Sequence, residues 1–305
     1  MHWIVAYAGW PADGRQGTAP SRALDAMLGR WSIVHRDEGD LDDASMPHER
    51  AWARAVGLTP HQGLIPWAAA LAADDGITFD DQPVALLSPT HWRVTADHVA
   101  LLDPEALQLD AQASRSLWAS VSTLLQEGGY RTQWGHATRW YASHADWAAM
   151  PSASIDRVVN RGIEPWRPSG ESGRRWQRLQ NEIQMLLHTD GVNDDRAARG
   201  QWPINSVWLS GNGPAWPAPQ RIEHVRVDRR LRSPYLASDI PSWLTAWQQL
   251  DADVLTPWLA DSPPDARLTL CGERSSITWS PTGAGWWQRL TSPRAPDAVA
   301  CLARL

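Results

Sequence analysis

Apolar positions run along this chain in two rhythms, short unbroken runs and stretches spaced three and four apart, and the elements they predict alternate strand with helix. Ile4-Val5-Ala6-Tyr7-Ala8, stopped by Gly9 and Pro11, has the form of a buried first strand, and Asp13-Gly14 beyond it reads as a turn. Ser45-Met46-Pro47 opens a helix that ends at Gly57, with His48-Glu49 in its first turn, and residues 66–73 look helical. Val84 to Leu87 is a buried strand feeding Ser88-Pro89-Thr90-His91-Trp92, and residues 93–102 alternate as strands about a turn at Asp97-His98. Leu117, Val121 and Leu124 phase a helix over residues 113–125 that Gly128-Gly129 stops, and residues 130–141 read as a hairpin around Gly135. Val225 to Val227 and Leu268 to Cys271 are further strands, Ser242 to Leu250 is a helix, Ile277 to Trp279 pairs with Trp286-Trp287 around Gly283 to Gly285, and Pro296 starts a terminal helix. This alternation implies an α/β class, a mixed sheet flanked by helices, built as a single large domain or two closely packed lobes with a boundary near residues 147–152.

The most sharply specified stretch runs from Arg174 to Gly213. Trp176, Leu179, Ile183 and Leu186 line one face of a helix that breaks at Asp190-Gly191. Asn193 and Arg196 stand three apart on the next helical turn, which Gly200 closes. Ile204 to Leu209 then reads as a strand with Asn205 at its entry, emptying into Ser210-Gly211-Asn212-Gly213. Such a loop lies where ligands bind in open α/β sheets.

Leu179-Gln180-Asn181-Glu182, Val192-Asn193-Asp194-Asp195-Arg196, Gly200, Pro203 to Trp208 and Gly211-Asn212-Gly213 together resemble a proteobacterial family, the regulatory proteins of the RpfE type. Weaker echoes at Pro47 to Arg50, Ser88 to Trp92 and Ser154 to Arg157 extend the resemblance over most of the chain. The family is itself distantly similar to archaeal-type cofactor-independent phosphoglycerate mutases, which carry a comparable series. One departure stands out: the His-Pro that usually precedes Val-Asn is Asp190-Gly191 here. In the metal-dependent mutases the first strand delivers an aspartate to the metal site, whereas this strand delivers Ala8-Gly9.

Composition narrows the chemistry. All 28 basic side chains are arginine, and the missing lysine excludes Schiff-base, pyridoxal-phosphate, Walker-type and kinase-type catalysis. A net charge of −6 argues against nucleic acid or an anionic membrane as partner. Two distant cysteines, Cys271 and Cys301, and the lack of a signal-like or membrane-length run imply a reduced, cytoplasmic protein. The 21 Trp against 1 Phe and 4 Tyr are either stacking platforms or core residues standing in for phenylalanine.

Pro214, Pro217 and Pro219 forbid a helix behind the glycine loop and remove a dinucleotide reading. No binuclear set of Asp and His ligands is visible, so neither a metal nor another cofactor is expected. What remains is an anion-binding constellation: Arg196 as a planar fork, Asn193 and Asn205 to orient it, Ser210, Gly211 and Gly213 at the loop, and His91 at a strand end. The alternative is a structural network in which the arginine ties the short helix to the strand. The functional expectation is a cytoplasmic regulatory or small-anion-binding protein with a small anionic metabolite or a protein as partner. Its rival is a metal-dependent phosphoglycerate mutase or phosphatase-like enzyme.

Overall fold

The structure, a computed structural model, describes residues 1–11, 21–216, 222, 224–281 and 298–305. The Asp13-Gly14 turn, Pro217 and Pro219, the strand at Trp286-Trp287 and the helix start at Pro296 lie outside the described residues. In chain order the elements are β1 (His2–Val5), α1 (Arg22–Leu28), β2 (Trp31–Asp37), α2 (Pro47–Ala55), α3 (Trp67–Asp74), β3 (Val84–Thr90), β4 (Trp92–Val94) and β5 (Val99–Leu101). They continue with α4 (Ala111–Glu127), β6 (Arg131–His136), β7 (Arg139–Ser143), α5 (Ile155–Val158), α6 (Gly170–His188), α7 (Gly191–Ala198) and β8 (Ser206–Ser210). The last are β9 (Val225–Asp228), α8 (Arg232–Leu236), α9 (Ile240–Leu250), α10 (Thr256–Ala260), β10 (Arg267–Cys271), β11 (Ser276–Pro281) and a helix over Ala298–Leu302.

The fold is mixed α/β, and the chain forms two compact units. Unit 1 comprises Met1–Asp42, Met46–Thr59 and Ile222–Leu305; unit 2 comprises Asp43–Ser45 and Pro60–Arg221. Residues 147–152, read from sequence as a lobe boundary, lie inside unit 2.

Unit 1 is built on a five-stranded sheet in the order β2-β11-β10-β1-β9. β1 runs parallel to both β10 and β9, while β10–β11 and β11–β2 are antiparallel. The core gathers Val5, Leu268, Leu270 and Trp279 from the sheet with Leu24 and Met27 of α1 and Trp243 and Trp247 of α9. Both helices start at side-chain caps: Ser21 Oγ accepts the Leu24 N–H, and Asp239 accepts that of Ser242. The alternate residues of the same strands carry a polar ladder, His2 to Thr269 at 2.7 Å and Thr269 to Thr278 at 2.8 Å.

Unit 2 has an antiparallel four-stranded sheet in the order β6-β7-β3-β8, and β4 and β5 form a separate hairpin. β3 is buried along its whole length because both its faces are covered. Ala85 and Leu87 face a core made with α4 and α6 (Leu117, Val121, Trp176, Ile183), whereas Val84 and Leu86 pack with Ala68, Ala72 and Phe79. The hairpin expected to turn at Gly135 instead turns at residues 137–138, and Gly135 sits inside β6 at a register shift. A Cβ there would lie 2.4 Å from the Tyr141 ring, so the glycine serves close packing at a bulge.

The tryptophans follow the core reading. Trp140, Trp147, Trp176, Trp243, Trp247 and Trp279 are fully buried, and Trp202 is the one exposed tryptophan among the described residues. Both cysteines are buried, and neither forms a disulfide among the described residues. No described helix is long and apolar enough to cross a membrane.

Candidate functional site

Four of the residues nominated from sequence, Asn193, Arg196, Asn205 and His91, lie around the junction of α6, α7 and the entry to β8, whereas Ser210, Gly211 and Gly213 lie at the far end of β8. α7 begins at an aspartate cap, Asp190 accepting the Val192 N–H at 3.0 Å, so the Asp190-Gly191 break is a helix start. From that helix Asn193 donates to the carbonyls of Leu187 and Ile204 at 2.7 and 2.8 Å and accepts the Ile204 N–H at 2.7 Å. Arg196, 1% exposed, donates from Nε to the Trp202 carbonyl at 3.0 Å and from Nη2 to the Leu107 carbonyl at 2.6 Å. Asn205 accepts the Trp92 N–H at 2.7 Å and donates to the Trp92 carbonyl at 3.0 Å, which pins β4 in the way a neighbouring strand would.

His91 closes the set. One ring nitrogen, Nδ1, lies 2.8 Å from the Pro203 carbonyl, and because a carbonyl only accepts, Nδ1 carries the proton. Burial holds its pKa below the usual imidazole value, and the ring packs on Trp202 at 4.9 Å. The glycine loop is equally engaged. Gly211, at φ 69°, accepts the Ala68 N–H at 2.8 Å, and a Cβ on Gly213 would sit 2.6 Å from the Leu64 carbonyl oxygen. Asn212 donates to the carbonyls of Trp147 and Met150 and accepts from the Ser152 hydroxyl, while Ser210 is a buried residue of β8. Main-chain groups thus engage both ends of the Asn193 and Asn205 amides, Nε and Nη2 of Arg196 and Nδ1 of His91, as a structural network would.

At the carboxyl ends of the parallel strands in unit 1, β1 stops at Val5 rather than at Ala8. Tyr7, buried at 1% exposure, then adopts a left-handed φ of 58° and packs against Tyr235 at 4.9 Å and His48 at 6.1 Å. Its carbonyl accepts the Trp243 indole N–H at 3.1 Å. Glu49 accepts the Met46 N–H at 2.9 Å, so His48-Glu49 is a helix-start pair. Asp228, ending β9, is paired with Arg230. Among the described residues no group of three or more His, Cys, Asp or Glu side chains is placed to hold a metal ion.

A concavity lies on unit 2 beside α6, and of the residues lining it sequence reasoning had nominated only Asn205. It is a groove of about 600 Å³. The β4–β5 hairpin supplies Trp92, Val94 and Val99; α6 supplies Asn181, Met185 and His188; and the turn after α5 supplies Ile163, Glu164 and Arg167. Val94 and Met185 are 79% and 73% exposed, two of the five large apolar side chains that are exposed among the described residues. Glu164 is held below the usual carboxylate range by N–H groups of its own backbone and of Val99, with His98 and Arg167 adding positive charge nearby. Met185 was the available signal: it is an apolar residue out of phase with the stripe formed by Trp176, Leu179, Ile183 and Leu186.

No protein-family model matches the chain, and no curated protein does. Solved structures show a distant likeness. A cofactor-independent phosphoglycerate mutase from Thermoplasma acidophilum DSM 1728 is 15% identical, with 98% of this chain and 94% of that one covered at a TM-score of 0.39. The PH0037 protein from Pyrococcus horikoshii is 10% identical, with 97% and 88% covered at a TM-score of 0.47. The likeness to phosphoglycerate mutase is distant, and no residue role is transferred from it.

Proposed function

We propose that this chain is a cytoplasmic regulatory protein, as its resemblance to the RpfE type implies, and that it binds a small organic acid in the groove beside α6. The composition of that groove carries the reading. Trp92, Val94, Val99, Ile163 and Met185 offer an apolar floor, and two of them stand in water at a cost that a ligand would relieve. Arg167 supplies positive charge, whereas the one carboxylate present, Glu164, is engaged by the Val99 N–H at 3.1 Å. A carboxylate with an apolar body matches both features, in keeping with pockets that are mostly apolar with a few placed polar groups. The anion expected at Arg196 is thereby reassigned to Arg167.

Thermal unfolding of the purified protein against a panel of aryl and medium-chain carboxylates tests this. A binding acid raises the melting temperature by the equivalent of about 2.7 kcal/mol at a hundredfold excess over its dissociation constant. Met185→Asp and Arg167→Gln abolish that response without unfolding the protein, because both side chains lie at the surface of the groove. An unresponsive wild type, or a response that survives both substitutions, would sink the proposal. The rival enzyme reading is tested on the same preparation. Stoichiometric Mn or Zn together with metal-dependent turnover of a phosphoglycerate would replace the binding reading.

A further inference from the structure

Unit 2 contains a second, smaller recess, which shares no residue with the groove. It is a half-enclosed pocket of about 360 Å³ beneath the turn that links α3 to β3. Ala69 and Ala72 of α3, Ile77, Phe79, Val84 and Trp216 form its walls. Asp80 and Asp81 occupy the centre of the turn, at left-handed φ values of 44° and 56°, and the Gln82 N–H closes it on the Phe79 carbonyl at 3.2 Å. Aspartate is among the few residues that tolerate this region, so the turn keeps its shape while placing two carboxylates on the pocket rim.

Charge separates those two carboxylates. Asp80 is paired with Arg131 at 3.0 Å, and the guanidinium carbon of Arg131 stands 6.0 Å from the centre of the Phe79 ring. Asp81 takes part in no ion pair among the described residues. The pocket therefore combines aromatic and aliphatic walls with one uncompensated negative charge. An anion is disfavoured here. A hard divalent cation is a poor fit too, since one free carboxylate beside apolar walls is far from the six or more oxygens such ions take. A carboxylate beside an aromatic wall is the arrangement that holds ammonium groups. We infer that this pocket binds a small organic cation, an amine or quaternary ammonium carrying an apolar group, with the charge at Asp81 and the apolar body between Phe79 and Trp216.

Benzyltrimethylammonium is a suitable probe, titrated into the full-length protein by calorimetry beside phenylacetate and benzyl alcohol. Saturable binding of the cation alone is expected, weakening as salt is added. Asp81→Asn removes the charge while keeping a residue that accepts left-handed φ, so its melting temperature stays at the wild-type value. Its affinity for the probe falls about tenfold, as does that of Trp216→Ala. Arg131→Gln releases Asp80 and strengthens binding severalfold. Absence of saturable binding to the wild type, equal binding of all three probes, or wild-type affinity in Asp81→Asn would each overturn the inference.

Discussion

Arg196→Ala separates a structural arginine from a ligand-binding one. In the wild type the guanidinium serves two main-chain carbonyls, the buried one of Leu107 and the partly buried one of Trp202, and the arginine is 1% exposed. Removing it orphans both acceptors at roughly 1 to 2 kcal/mol each and leaves a void where the side chain was, so the total loss is about 4 kcal/mol. Arg196→Lys retains the charge but lacks a planar fork to serve two carbonyls, and it should lose about 2 kcal/mol. Denaturant unfolding followed by tryptophan fluorescence reads the loss as a shift in midpoint. The binding of an acid in the groove should be indifferent to Arg196→Lys, because Arg196 is no part of that lining. The reasoning fails if either variant unfolds within about 0.5 kcal/mol of wild type. It fails equally if Arg196→Lys leaves stability intact and removes an anion response.

Ser114 accepts the indole N–H groups of Trp134 and Trp140 at 3.0 and 2.9 Å and donates to the Ala137 carbonyl at 2.9 Å. Ser114→Ala should therefore cost about 3 kcal/mol in the same unfolding assay, and a loss below 1 kcal/mol would contradict a buried shared hydroxyl. Burial, then the charges of Arg267 and the amino terminus, lowers the His2 pKa from 6.5 to about 4. The unfolded chain binds the extra proton between those values, so the stability contribution is complete above pH 6.5 and declines as pH falls toward 4. A wild-type minus His2→Gln stability difference that stays flat across that window would disprove the shift. Burial also pushes the Cys271 thiol pKa up, so a thiol reagent at neutral pH should label Cys271 only on unfolding. Rapid labelling of Cys271 in the native protein would show the thiol to be accessible.

Where apolar phase and burial coincide, sequence and structure agree closely. The stripe of α6 and the unbroken apolar start of β3 are both legible, since each is covered by neighbours that demand that pattern. α1 and β2 were not legible for the opposite reason. α1 is only seven residues long, and β2 is an edge strand with a mostly exposed pattern that pairs with β11 alone. Gly135 misled because a glycine at a turn and a glycine under a tyrosine ring look identical in one dimension.

The candidate site divides along a similar line. That Asn193 and Arg196 share a helical turn was readable from their spacing; that Asn205 and His91 lie beside them was not, and each of the four is engaged by main-chain groups. What spacing does not encode is which acceptor each donor meets, because a ligand oxygen and a carbonyl of Trp202 or Pro203 ask for the same side chain. The groove inverts the problem. Val94 and Met185 carry no catalytic signature, but each stands in water where its neighbours of like character are buried, and that mismatch points to a partner. Around α7 the polar residues thus mark where the backbone needed satisfying, whereas at the groove the exposed apolar residues mark where a ligand is to be sought.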